Sequence, residues 1–191
     1  AEEWMKWATK ASHPGRAGKY LAQAGWLMHF PEIAAMQEIP QDPEWHPEGD
    51  VFVHTMLVLD AAARVAQREH IEGDDRAVLL FAALCHDLAK ATTTVLRNKG
   101  GVMRWTAWGH EEEGAPLAKA LLGRMGIKHS ISVEVEPLVA NHLITSHLRE
   151  ISARAIRRLA MRLAPANIQK LTWLIEADHS GRPPLPGGLP D

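Results

Sequence analysis

The sequence predicts an all-α fold, a helical bundle around a buried metal centre. Three features carry that expectation. Apolar residues recur at helical spacing along most of the 191 residues. No segment longer than a short hairpin reads as strand. His and Asp residues interrupt the apolar faces at points where the spacing demands core side chains.

Residues 2–10 and 16–29 read as two short helices, and Pro31, Pro40, Pro43 and Pro47 punctuate a connection running to Gly49. Val51 to Arg68 is alanine-rich, helically periodic and free of breakers. Asp74 and Asp75 are expected to cap the next helix, Arg76 to Ala89, because acidic groups suit a helix start. Residues 92–109, with Gly100-Gly101 and two tryptophans, read as a loop or short hairpin. Helices follow at 110–124, 131–146, 152–163 and 165–178, the last opened by Pro165. There is no internal repeat. The organisation expected is a helical lead-in segment over 1–49, a principal domain over 50–182 and a Pro/Gly-rich tail over 183–191.

A composition of 46% hydrophobic and 23% charged residues is ordinary for a globular chain able to bury a sizeable core. A net charge of −2 weighs against a general nucleic-acid binder but leaves room for a local basic patch. The lone Cys85 excludes an intramolecular disulfide and suits a reducing, cytoplasmic compartment. No run of about 18 uncharged apolar residues exists, so no membrane span is expected. The start, Ala1-Glu2-Glu3-Trp4, has neither an initiator Met nor a basic signal region. We take the sequence as a piece of a longer protein.

The chemistry lies in His54, the pair His86-Asp87, His110, His142 and Asp178. A single His on an apolar face is most often a satisfied core residue, and eleven histidines make coincidence easy. The ordered series argues otherwise. His54 shares a face with Val51, Val58 and Ala61; His142 continues Val135, Leu138 and Val139; Asp178 continues Leu171, Leu174 and Ile175. A buried Asp is costly unless paired or coordinated, and a shared metal would serve both Asp87 and Asp178. On a helix, His86 and Asp87 point about 100° apart, so Asp87 could bridge two cations that activate a water. Imidazole and carboxylate ligands favour one or two divalent transition ions (Mn, Ni, Co, Fe or Zn). Cys85 is expected to face away and pack in the core.

Around this set, Lys90 is a candidate catalytic and substrate-binding residue that would neutralise phosphate charge, and Arg182 is a candidate phosphate clamp. A solvated helix-end cation and a surface arginine are the plainer alternatives. Trp105 and Trp108 could stack a base, although tryptophans more often serve the core. Thr92 to Thr94 and Arg97 could border a substrate, and His147 could bond one. Arg154, Arg157, Arg158 and Arg162 form a basic face, by default a solvated one.

His54, His86-Asp87 and Asp178 resemble the H…HD…D signature of the HD-domain metal-dependent phosphohydrolases. The stretches Phe30-Pro31-Glu32-Ile33, Val53-His54-Thr55, Leu84 to Lys90, Gly109-His110-Glu111 and Glu176-Ala177-Asp178 are similar to the HD portion of bacterial CCA-adding enzymes (tRNA nucleotidyltransferases). The resemblance covers about Trp26 to Arg182. It implies an HD-domain helical bundle and hydrolysis of phosphoesters, including 2′,3′-cyclic phosphodiesters, 2′-nucleotides and other phosphomonoesters. It also implies that His54, His86, Asp87 and Asp178 hold one metal, and that His110 and His142 complete a second with bridging Asp87. The Gly-Ser and paired-Asp motif of the nucleotidyltransferase head is missing from these 191 residues, so CCA addition is not expected of them. The expected function is a metal-dependent phosphodiesterase or phosphatase acting on nucleotide or RNA-end phosphates, with tRNA or RNA contact as a further option. The alternatives are a nucleotide monophosphatase, a signalling-nucleotide phosphodiesterase, or a binding module within a tRNA-processing enzyme.

Overall fold

The computed structural model describes residues 1–147 and 152–190, and the side chains of Ser146 and His147 also lie outside the described set. The chain runs α1 (Glu2–Lys10), α2 (Gly15–Gln23), a 3-10 turn (Trp26–His29), α3 (Pro31–Ala34), α4 (Val51–Arg68), α5 (Gly73–Cys85) and α6 (Lys90–Thr93). A hairpin of β1 (Val95–Lys99) and β2 (Val102–Thr106) follows, then α7 (His110–Arg124), α8 (His129–Asn141), α9 (Ile144–His147), α10 (Ala153–Leu163) and α11 (Ile168–Ser180).

The bundle is organised around α5, which is buried on every side from Ala77 to Cys85. A helix that is apolar all round has to be central. Helices α4, α7, α8 and α11 surround it, with Leu59, Leu122, Leu138 and Leu174 in one continuous core. Each such side chain contributes about 1.5–3 kcal/mol when withdrawn from water. Ala8, Leu27, Ile33 and Met36 from the first 49 residues join that same core. Close approach matters at Gly181, just past α11, where a Cβ would sit 2.4 Å from Val58 Cγ2 and 3.0 Å from Val58 N. α11 therefore lies tightly against α4, which brings Asp178 to His54. Among the described residues no helix is long and apolar enough to cross a membrane.

The helix over 51–68 stands as expected, with Asp50 as its cap accepting from Val53 N. Elsewhere the boundaries need correction. The helix expected over 16–29 is broken at Gly25, whose φ of 72° no helix accommodates. Asp74 and Asp75 do not cap α5; they lie in its first turn, after Glu72. The helix expected to reach Ala89 stops at Cys85, and His86 to Ala89 form a turn. The helix over 131–146 is two, since α8 stops at Asn141 and α9 starts at Ile144. α11 begins at Ile168, not at Pro165, because Asn167 caps it by accepting from Lys170 N. The 92–109 segment is the hairpin, in register Val95 to Thr106 through Lys99 to Val102.

Candidate metal centre

Four imidazoles and two carboxylates meet where the ends of α5, α8 and α11 and the start of α7 converge on the first turn of α4. His86 is the C-cap of α5 and His142 the C-cap of α8, while His110 opens α7. In each of the three, Nδ1 donates to the carbonyl three residues back: His86 to Ala83 (2.8 Å), His142 to Val139 (2.8 Å) and His110 to Ala107 (2.6 Å). At the two C-caps these carbonyls have lost their intrahelical donors, so each imidazole finishes a helix and fixes its own tautomer together. A carbonyl can only accept, so Nδ1 of each ring carries a proton and Nε2 is the atom turned inward.

The inward atoms fall into two sets joined by Asp87. On one side, His54 Nε2 lies 3.0 Å from Asp178 Oδ1 and 3.4 Å from His86 Nε2, which is 3.2 Å from Asp87 Oδ2. On the other, His110 Nε2 lies 3.1 Å from Asp87 Oδ1 and 3.3 Å from His142 Nε2. All of these residues but Asp178 are buried, and its side chain keeps only 16% exposure. The arrangement fits divalent cations on three counts. Ligand atoms sharing one ion with bonds of about 2.0–2.2 Å stand about 3–3.4 Å apart. With Nδ1 of each donating to a carbonyl, the Nε2 atoms of His110 and His142 face each other at 3.3 Å, a spacing that a shared cation would favour. Both Asp87 oxygens are buried without an aligned hydrogen-bond donor, so a cation would compensate this charge further, beside the Lys90 ion pair.

Lys90 is not a solvated helix-end cation. Its Nζ lies 2.8 Å from Asp87 Oδ2, as an ion pair rather than an aligned hydrogen bond, and donates to Gln41 Oε1 at 2.8 Å. Asp87 is driven well below the usual carboxylate range: burial opposes its charge, but His86, Lys90 and His110 outweigh it. Asp178 is lowered as well, against burial, chiefly by His54.

Two residues absent from the sequence argument stand behind His54. Glu48 Oε1 lies 2.7 Å from His54 Nδ1 and accepts from His46 Nδ1 at 2.9 Å. A carboxylate on the outer nitrogen turns His54 Nε2 inward, as the carbonyls do for the other three rings. Burial would raise Glu48, but the two imidazoles hold it at about 2. Burial would likewise lower His54, but Asp178 and Glu48 hold it up at about 9. No local pattern marks Glu48, which sits in the Pro-punctuated connection.

The outer candidates divide. Lys90, Trp105 and Trp108 border one cavity with His110; Arg182 borders another with His179, away from Lys90. Trp108 is 65% exposed and therefore no core residue. Thr92 and Thr93 are spent on the Ala89 carbonyl, and Arg97 stands over the Trp108 ring. Arg154, Arg157, Arg158 and Arg162 are exposed on α10. Cys85 is buried, as expected. The His147 side chain lies outside the described residues.

An acid limit on stability follows from His142. Burial and then the neighbouring His110 and His86 push it down to about 3, against about 6.5 in an unfolded chain. Below pH about 6.5 the unfolded chain therefore takes up a proton that the folded one refuses, so stability is lost as pH falls. His46, lowered to about 4 by burial, has the same sign. His54 acts oppositely but only above pH about 6.5, where its stabilisation is lost as pH rises towards 9. In chelator, the thermal unfolding midpoint is expected to drop steadily between pH about 6 and 4.5. A midpoint that rises over that interval would contradict a neutral, buried His142.

Residues 51–175 match the HD domain family. The chain is 33% identical over 177 residues to a multifunctional CCA protein of Pasteurella multocida, covering 89% of this chain and 40% of that protein. It is 33% identical over 157 residues to one of Xanthomonas campestris (80% and 35%), and 29% identical over 182 residues to one of Mannheimia succiniciproducens (92% and 41%). The chain thus spans roughly two-fifths of the length of these relatives.

Proposed function

Because the chain belongs to the HD domain family, we propose that it is a metal-dependent phosphohydrolase acting on nucleotide or RNA-end phosphates, 2′,3′-cyclic phosphodiesters foremost. The observation that carries this is Asp87, a buried carboxylate whose two oxygens each face a separate pair of inward imidazole nitrogens. His54, His86, Asp87 and Asp178 would hold one cation, and Asp87, His110 and His142 a second. Mn, Ni, Co, Fe and Zn all suit such ligands. When bound, such cations lower the pKa of water and neutralise charge on the phosphate.

The chain's own residues supply the rest. Asp87 and Lys90 are the catalytic candidates. Held by Asp87 and Gln41, Lys90 keeps a fixed positive charge at the inner end of the cavity, where phosphate oxygens would gain charge. Burial of the imidazoles excludes bulk water and strengthens each of these interactions. Arg182 remains a candidate phosphate contact from the neighbouring cavity. The similarity to multifunctional CCA proteins supports an RNA-end or nucleotide substrate. A five-membered cyclic ester also presents phosphorus without a bulky chain in the attack path.

With Mn, Ni or Co added, hydrolysis of 2′,3′-cyclic nucleotides is expected to exceed that of 3′,5′-cyclic nucleotides and nucleoside triphosphates. Chelator should abolish it, and Asp178→Ala should be inactive. Preference for a 3′,5′-cyclic or triphosphate substrate would remove the cyclic-phosphate assignment and leave the family intact.

A further inference from the structure

A cavity of about 430 Å³ opens from the metal centre towards the hairpin. That is within the range of small-ligand sites. Its inner end is His110 and Lys90, the two lining residues that contact Asp87. Its outer walls are Trp45, Trp105 and Trp108, with Lys99 at the rim. Trp45 and Trp108 are 57% and 65% exposed, although burying indoles is among the larger apolar gains open to a fold. Two exposed indoles and a half-buried third on one cavity are a cost that the packing of this chain does not explain.

The walls are also held in place. Arg104 on β2 pairs with the buried Asp42 at 3.1 Å and with Glu44, tying the hairpin to the loop that carries Trp45. Arg97 and Lys99 of β1 stand 4.8 and 5.2 Å from the Trp108 ring centre, steadying the indole. The result is a cationic, metal-facing inner end and an aromatic outer end within one cavity. A phosphate ester joined to a flat π-system has that polarity.

We infer that this cavity is a nucleobase site, in which Trp45, Trp105 and Trp108 stack the base of the nucleotide whose phosphate lies at Lys90 and His110. The assignment rests on the phosphoester reading for its inner end and on the indoles for its outer end. Stacking is tolerant of base identity, so the site prefers nucleotides over other phosphoesters without strong discrimination among bases. The base can come from a free nucleotide or from the last residue of an RNA, both offering the same face and phosphate.

The test is equilibrium binding with turnover stopped by chelator, as the proposed function requires: calorimetric titration of the chain with 2′-AMP and with ribose 2-phosphate, which lacks the base. The nucleotide is expected to bind at least about fivefold more tightly. Trp108→Ala and Trp45→Ala, both at exposed positions, should erase most of that ratio. Trp26→Ala, at a 60% exposed indole that does not line the cavity, should keep it. A short single-stranded RNA ending in a 2′-phosphate separates the sources: tighter binding than 2′-AMP assigns the base to an RNA end, and equal binding assigns it to a free nucleotide. Equal affinity for 2′-AMP and ribose 2-phosphate in the parent overturns the inference. So does a ratio unchanged in both tryptophan variants, or no binding of 2′-AMP at millimolar concentration. Hydrolysis of p-nitrophenyl phosphate, assayed in parallel, reports on the phosphohydrolase reading alone, so the two can fail separately.

Discussion

Asp87→Asn is expected to reduce phosphoester hydrolysis by about a thousandfold or more while the helical circular-dichroism signal persists. The metal ions of such a site contribute several kcal/mol of charge stabilisation, and each 1.36 kcal/mol is tenfold in rate. The amide fits the space, but neither orientation suits the site. With its NH₂ group on the Oδ2 side it meets the Lys90 ammonium, which stands 2.8 Å away and can only donate. Turned the other way, it donates to His110 Nε2, 3.1 Å distant, and occupies a lone pair the second cation needs. Helix content should survive because Asp87 lies in the turn after α5, while the apolar packing of α5 carries the bundle. Rate, elemental metal content and circular dichroism on the same preparation check this. An active Asp87→Asn protein with its metal intact would sink the mechanism.

Replacing His110 and His142 together by Ala is expected to reduce bound metal from two ions per chain to one. The two rings face each other at 3.3 Å and approach Asp87 only through Oδ1, whereas His54 and His86 approach it through Oδ2. The second ion should thus be lost without dismantling the first. Removing two buried imidazoles also leaves voids, so some thermal stability should go with them. Identical metal content in the double variant and the parent would take both residues out of the site.

Much of this architecture is legible in the chain, and the illegible parts have identifiable causes. Val51 to Arg68 and His110 to Arg124 stand where periodicity places them, because long amphipathic stretches leave little ambiguity. The end of α5 does not, since Leu88 and Ala89 continue the apolar run past the true stop. What stops the helix is a side chain, His86, taking the Ala83 carbonyl, and no composition rule signals that. At α11 the signal was present but outranked: Asn167 is a better cap than Pro165 is a first-turn residue. Of the site, the six inward residues could be named from apolar faces carrying polar groups. Glu48 and His46 could not, because they lie in an aperiodic connection and reach His54 only once α4 is packed.

The placing of His86 and His142 at helix ends has a consequence for how the chain can change length. A single residue inserted anywhere in Gly73–Cys85 would turn everything after it by about 100° and carry His86 off the Asp178 side of the cluster. The same holds for His129–Asn141 and His142. These two segments should therefore resist insertion and deletion more stringently than their core packing alone requires. The tip at Gly100-Gly101 is exposed and bears on no inward ligand, so length variation among related chains should collect there. A scan of single-residue insertions, read out by retained metal, would draw that map directly: tolerance at the hairpin tip, and abrupt loss within the two helices that end on a histidine.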